Sequence, residues 1–212
     1  MTSAEHDANA RRLALGGIIG PTAFVAAWAL GAFANDRDLS AVDDAISQLA
    51  HVDSNTRWLM TAGLVTFGVG VGMFAAATRS LLGNATAWAL GATALSTLVV
   101  AALPLGASDT VDRLHAVAAG VGYVTLAVAP LAASASLHRL GHRRLARMGG
   151  ISSTVAALSL ATSLTSAPTG LFQRIGLTAV DLWLVAVAFM IACGRLDHER
   201  RLTAASGDAP CD

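Results

Sequence analysis

Residues 175–194 read IGLTAVDLWLVAVAFMIACG, twenty positions with one charged side chain, Asp181, and no proline. A hydrocarbon core of roughly 30 Å needs about 20 apolar residues in a helix, so this run has the length of one bilayer crossing. Its apolar residues are continuous rather than alternating, which favours a helix over a barrel strand.

Working outward, five more runs meet the same criterion: Leu13–Ala34, Trp58–Thr78, Ala85–Leu105, Leu114–Ser136 and Met148–Ala167. None of them carries Asp, Glu or Arg. Together they predict an all-α fold, an integral membrane bundle of six helices with little left over for a soluble domain. Composition agrees. Charged residues make up 13% of the chain and mean hydropathy is +0.58, whereas a soluble domain carries about a quarter charged residues. A net charge of zero leaves no basic footprint for nucleic acid. All 14 cationic residues are Arg and none is Lys, the codon-bias signature of a GC-rich bacterium.

The arginines orient the bundle. With a cytoplasmic N-terminus, ten of them fall inside and four (Arg37, Arg57, Arg113 and Arg174) outside. The expected layout is a cytoplasmic tail over 1–11, a transmembrane domain over 12–195 and a cytoplasmic tail over 196–212, in the plasma membrane. Cys193 and Cys211 then face a reducing compartment and stay thiols. Arg11-Arg12, the first apolar run and Ala32-Phe33-Ala34 imitate a secretory signal. That run exceeds the 7–15 residues of such signals, so a retained span is expected.

The first outer loop, Asn35–Arg57, is the long one. Ser40 and Asp43 have the spacing of a capping box, and Val42, Ala45, Ile46 and Leu49 follow at helical spacing. The pattern predicts a short amphipathic helix over 40–51 that buries Val42, Ile46 and Leu49 and turns Asp44 and Ser47 elsewhere.

Five residues are expected to converge near the outer leaflet as a ligand-binding site: Asp44, Ser47, His115, Arg174 and Asp181. Asp181 lies about two turns into the last span. An ionised carboxylate in hydrocarbon costs at least about 2.5 kcal/mol, so it must find a partner or a proton. Arg174, seven residues earlier on the same face, is the predicted partner. Two readings stand: a polar site or proton relay, and a structural ion pair or hydrogen bond to a hydroxyl on another helix. His115 opens a stripe of small residues with Ala119, Gly122 and Leu126. It is either an acid/base group or a metal ligand with His51 or an outer Asp, or else an interfacial His bonded to the first outer loop. A cavity among these groups would hold an anionic or hydroxylated headgroup against Arg174.

Other motifs carry less. His138 and His142 have the H-x-x-x-H spacing of a metal pair, but Arg139, Arg143, Arg144 and Arg147 surround them and repel a cation. Contact of those four arginines with anionic lipid headgroups is the better reading. Hydroxyls recur at Thr86, Thr93 and Thr97 and at Ser152, Ser159, Ser163 and Ser166, either lining a polar path or packing helices. Gly16/Gly20 and Gly68/Gly72 have small-xxx-small spacing. No nucleophile elbow, phosphate loop or dinucleotide fingerprint occurs. No cofactor, metal or catalytic residue is therefore assigned, and oligomeric state is left open.

Four short motifs, in order, carry a resemblance: Gly20-Pro21, Ile46-Ser47-Gln48-Leu49, Leu114-His115-Ala116, and Gly170-Leu171-Phe172-Gln173-Arg174 before Trp183. By them the chain resembles the bacterial six-span family catalogued as domain of unknown function 998. More distantly it is similar to the eukaryotic Frag1/DRAM/Sfk1 group. The resemblance implies that Ser47, His115 and Arg174 belong together on the outer side, and it implies no activity. Membrane zinc hydrolases of the alkaline-ceramidase type are a poorer match. They hold zinc with three His, whereas only His51 and His115 lie on this outer face.

Three classes follow. The first is a non-enzymatic lipid or small-molecule binding or membrane-support protein. The second is a proton-coupled transporter using Asp181, and the third an intramembrane hydrolase using His115. For the topology, a cysteine in the 35–57 loop should label with an impermeant thiol reagent in intact cells, while Cys211 should not. The reverse pattern would overturn the orientation.

Overall fold

The computed structural model describes residues 3–163, 165 and 168–196, in which the regular elements are all helices and no strand occurs. Helix α1 (Ser3–Ala14) runs through Leu15 into α2 (Gly16–Ala34). There follow α3 (Arg57–Thr78), α4 (Asn84–Ala102), α5 (Asp109–Arg139), α6 (Arg143–Ser163) and α7 (Thr169–Ala192). Each of α2 to α7 packs on its neighbours in sequence, and α7 closes the ring against α2. The expected N-terminal tail is thus mostly helix, docked on α3 and α7 with Ala10 and Ala14 buried.

Five helical stretches are long and apolar enough to cross a membrane: Asp7–Ala34, Arg57–Thr78, Asn84–Ala102, Asp109–Arg139 and Thr169–Ala192. The chain is a multi-pass membrane protein. The expected fifth run falls on α6, which does not meet that criterion because Arg143, Arg144 and Arg147 occupy its first two turns. Ser166 and Ala167, at the end of that run, lie outside the described residues, as does Cys211. Large apolar side chains also point outward, Phe33 at 91% exposure, Trp88 at 78% and Trp58 at 73%. Water would not tolerate such a surface over most of a molecule, and lipid requires it.

In lipid the hydrophobic effect does not draw helices together, so close approach depends on small side chains. Gly16 and Gly70 meet backbone to backbone, and a Cβ on Gly16 would overlap the Gly70 carbonyl. Gly20 stands less tightly against the Phe67 backbone, where a Cβ would lie 3.2 Å from the carbonyl. Below them Gly17 makes room for Phe74, which is fully buried with Trp183 and Met60.

The first loop differs from its expected form. Instead of a helix over 40–51 there is a turn at 41–44 and then one short 3-10 helix, Ile46–Ala50. Ile46 and Leu49 are buried, but Val42 is 47% exposed. Asp44 and Ser40 explain the break. Ser40 Oγ accepts from the Asp43 amide at 3.1 Å while Asp44 Oδ2 accepts from the Ser40 amide at 2.8 Å. The reciprocal bonds of a capping box are made, with Asp44 in the role expected of Asp43, and they close a turn rather than start a helix. Asn35 gathers the other end of the loop, donating to Ser54 Oγ and Thr56 Oγ1 at 2.8 and 3.0 Å.

The loop is fastened to α7. The first amides of a helix lack internal acceptors. Here Gly170 N and Leu171 N donate to the carbonyls of Asp43 and Val42 at 3.3 and 2.7 Å. Gly170 has to be glycine for this, since a Cβ would overlap the Asp44 carbonyl. The bundle therefore has a capped end, closed by the 35–56 loop, and an opposite end bearing α1 and the α5–α6 turn.

Overpacking at a backbone contact costs about 1–3 kcal/mol, so Gly16→Ala should lower the thermal midpoint of the detergent-solubilised protein by several degrees. Gly91→Ala should leave it unchanged, because nothing lies within 4 Å of the added methyl. Equal effects would mean that the α2–α3 contact does not set the packing.

Candidate functional site: a cavity beneath the cap

A cavity of about 110 Å³ lies inside the ring under the 3-10 helix. By the space one water occupies, it has room for several waters or a short lipid segment. Most of its wall is apolar, from Phe24, Met60, Leu64, Phe67 and Leu126 among others. The expected stripe His115, Ala119, Gly122 and Leu126 faces this space, so its small residues leave volume as well as allow contact. Thr93 and Thr97 line it too and also serve packing. Thr93 Oγ1 bonds the Ala89 carbonyl and Thr125 Oγ1 at 3.0 and 2.9 Å.

The polar groups of the wall are hydroxyls, one amide and one imidazole, and no Asp, Glu or Arg is among them. His115, 4% exposed, is held by its Nδ1 at 2.7 Å from the Leu103 carbonyl. A carbonyl only accepts, so Nδ1 carries the proton and Nε2 is an acceptor in the neutral ring. That Nε2 is buried without a partner. Its anchor is the α4–α5 connection, not the first outer loop as expected.

Gln173 joins roof to wall. Its Oε1 accepts from the Ile46 amide at 3.1 Å, and its main-chain carbonyl accepts from Tyr123 Oη at 2.8 Å. Ser47 and Ser96 add hydroxyls to the lining. Sequence reasoning missed Gln173, Tyr123 and Ser96 as site residues. Tyr123 had a signal, being the one tyrosine of the chain and set in the middle of an apolar run. Gln173 sat inside a quoted motif and was overshadowed by Arg174.

The five expected residues do not converge. Ser47 and His115 share the cavity. Asp44 and Arg174 share a separate crevice of about 10 Å³, room for one water at most. Arg174 Nη1 donates to the Asp44 carbonyl at 3.1 Å, and its guanidinium lies 5.5 Å from the centre of the Trp28 ring. Asp181, 3% exposed, lines neither space, and both its carboxylate oxygens are buried without a hydrogen-bond partner. The expected Arg174–Asp181 ion pair is therefore absent. Sharing a helix face was not enough, because two turns separate the groups and the guanidinium reaches back to the loop instead.

His138 and His142 are divided by the turn at Gly141, whose φ of +82° ends α5, so they do not share one helix. Among the described residues no three of His, Cys, Asp or Glu are grouped to hold a metal ion.

The family described as "Protein of unknown function (DUF998)" matches this sequence over residues 18–190, and the chain belongs to that family. No curated protein and no solved structure matches it.

If Arg174 and Asp181 act separately, their substitutions should add. Arg174→Ala should destabilise by about 1–2 kcal/mol through the lost carbonyl bond and ring contact. Combined with Asp181→Asn, the total should equal the sum of the single effects within about 0.5 kcal/mol. A larger coupling in unfolding measurements would restore the pair.

Proposed function

We propose that this DUF998 protein is a six-pass protein of the plasma membrane that holds a neutral amphiphile in the cavity beneath its cap and catalyses no reaction. One observation carries the reading: an apolar space with room for a short lipid segment, lined by His115, whose Nε2 is buried without a partner, and by no Asp, Glu or Arg. Ligand sites are mostly apolar pockets with a few placed polar groups. An acceptor at one end of such a space suits the hydroxyl of a lipid alcohol or a similar neutral headgroup.

The expected anionic headgroup does not fit at Arg174, because the crevice there has room for one water at most and the guanidinium is turned to the Asp44 carbonyl and the Trp28 ring. Anionic lipids belong at the opposite end, where Arg139, Arg143, Arg144 and Arg147 are exposed. The hydrolase reading loses support as well. The His115 ring is oriented by a carbonyl rather than a carboxylate, and no hydroxyl lies in hydrogen-bond reach of its Nε2. An activated nucleophile needs both the base and its orienting group.

A sixth crossing by α6 follows from direction. Tyr123 of α5 bonds Gln173 of α7 near the capped end. Gly149 of α6 lies against both Pro130 of α5 and Trp183 of α7 deeper in the bundle. The two flanking helices thus run the same way, and the chain between them has to cross back. A helix of 21 residues is about 31 Å long, and exposed arginines at its start can reach the headgroup layer. With the arginine bias, the capped end faces outward and both termini face the cytoplasm.

Native mass spectrometry of the protein extracted from its own membranes should find a neutral amphiphile bound one to one. Ala119→Leu, which fills the cavity, should abolish it while the thermal midpoint persists. His115→Ala should weaken it about fivefold, the worth of a hydrogen bond of about 1 kcal/mol. Retention of the same ligand by Ala119→Leu would end this reading.

A further inference from the structure

Asp181 is left unexplained by the binding of a neutral molecule. It is 3% exposed, both its oxygens lack partners, and it sits in the apolar middle of α7. An isolated charge there is far costlier than a neutral acid. It also stands in register with the cavity. Gln173, Leu177 and Asp181 recur at intervals of four along α7, and the first two line the space. Tyr123, which lines the space as well, bonds the Gln173 carbonyl about two turns before Asp181. Asp181 thus lies beneath the floor of the cavity.

Among the described residues no ionised side chain bonds Asp181. Helix α1, which packs on α7 with Glu5, Asp7, Arg11 and Arg12, meets it at the far end, where Arg11 lies beside Gly194. Helices α2 and α4 carry no titratable residue, and α3 carries only Arg57 at its first position. Helix α6 brings Arg143, Arg144 and Arg147 at the opposite end. Helix α5 contributes Tyr123 and His115 above Asp181, besides residues at its two ends, and α7 itself adds only Arg174, which is turned toward the loop.

We propose that Asp181 is a proton-binding site linked to this cavity, its carboxyl holding the proton when an amphiphile fills the space and giving it to water when the space is wet. The linkage rests on the cavity reading. Water that entered the cavity and passed its floor would solvate the carboxylate and accept its proton as hydronium. An amphiphile displaces that water and leaves only the neutral acid tolerable, so binding takes up a proton. Affinity then rises as pH falls, and by reciprocity the ligand strengthens proton binding. One linked proton changes affinity by at most about tenfold per pH unit.

The test uses the full chain in detergent and 1-decanol as the probe. Calorimetric titrations in buffers of different ionisation heat count protons taken up per decanol, and infrared spectra report the carbonyl stretch of a protonated carboxylic acid. The wild type should show that stretch with decanol bound, should take up as much as one proton, and should bind up to about tenfold more weakly per unit rise in pH. Asp181→Asn, a neutral isostere, should lose both the stretch and the uptake and bind equally well at every pH. His115→Gln should bind decanol more weakly but keep the uptake. Uptake persisting in Asp181→Asn, or no acid stretch in the bound wild type, would overturn the proposal while the cavity reading stood. A wild type that binds no decanol at any pH would overturn the cavity reading and the linkage together, even with the acid stretch present.

Discussion

The first turn of a helix within a membrane protein holds amides that neither the helix nor water can satisfy. In α7 those amides are met by the carbonyls of Val42 and Asp43, more than 120 residues earlier in the chain. Much of the capped end depends on this fastening. It lays the 3-10 helix across the bundle, sets Ile46 over the interior and brings the Ile46 amide to Gln173. Gln173 in turn receives Tyr123 from α5. A roof tied at so many polar points leaves a defined space below it instead of collapsing onto the helices.

That space exists because side-chain size is distributed unevenly. Where α2 meets α3, glycines let the backbones touch, and the contact is filled. On the cavity side of α5, Ala118, Ala119 and Gly122 are just as small, but bulky Phe24 and Phe67 and the roof hold the neighbours back. Packing in lipid gains nothing from removing water, so unfilled volume costs mainly lost dispersion contact. An occupying apolar segment would recover it, which is why the cavity reads as a site and not as a defect.

The polar side chains sort by what can satisfy them. Arg174 is long enough to reach the loop and finds a carbonyl and an aromatic face there. Asp181 is short, lies buried inside the bundle, and reaches no partner. His115 meets half of its hydrogen-bonding capacity on Leu103 and keeps the other half free. His115 Nε2, in a residue of the cavity wall, and the Asp181 carboxylate, beneath its floor, are thus both buried without a partner.

Read alone, the residues determined what hydrophobic length and charge distribution can determine: a helical membrane protein, five of its spanning helices within a few residues, a capped first loop, and His115 and Asp181 as the polar oddities. These are local properties, legible in windows of twenty residues. The same reading placed Asp181 beside Arg174 and Val42 in the interior, and it passed over Gln173 and Tyr123. Those matters turn on distances across the bundle. A shared helix face says that two side chains can meet, and only the packing of other helices decides which partner is nearer. Volume is likewise a property of the assembly, since Ala119 and Gly122 close a contact in one arrangement and open a cavity in another. The tertiary structure alone decided that the small residues of α5 surround a space and that the carboxylate below it has no partner.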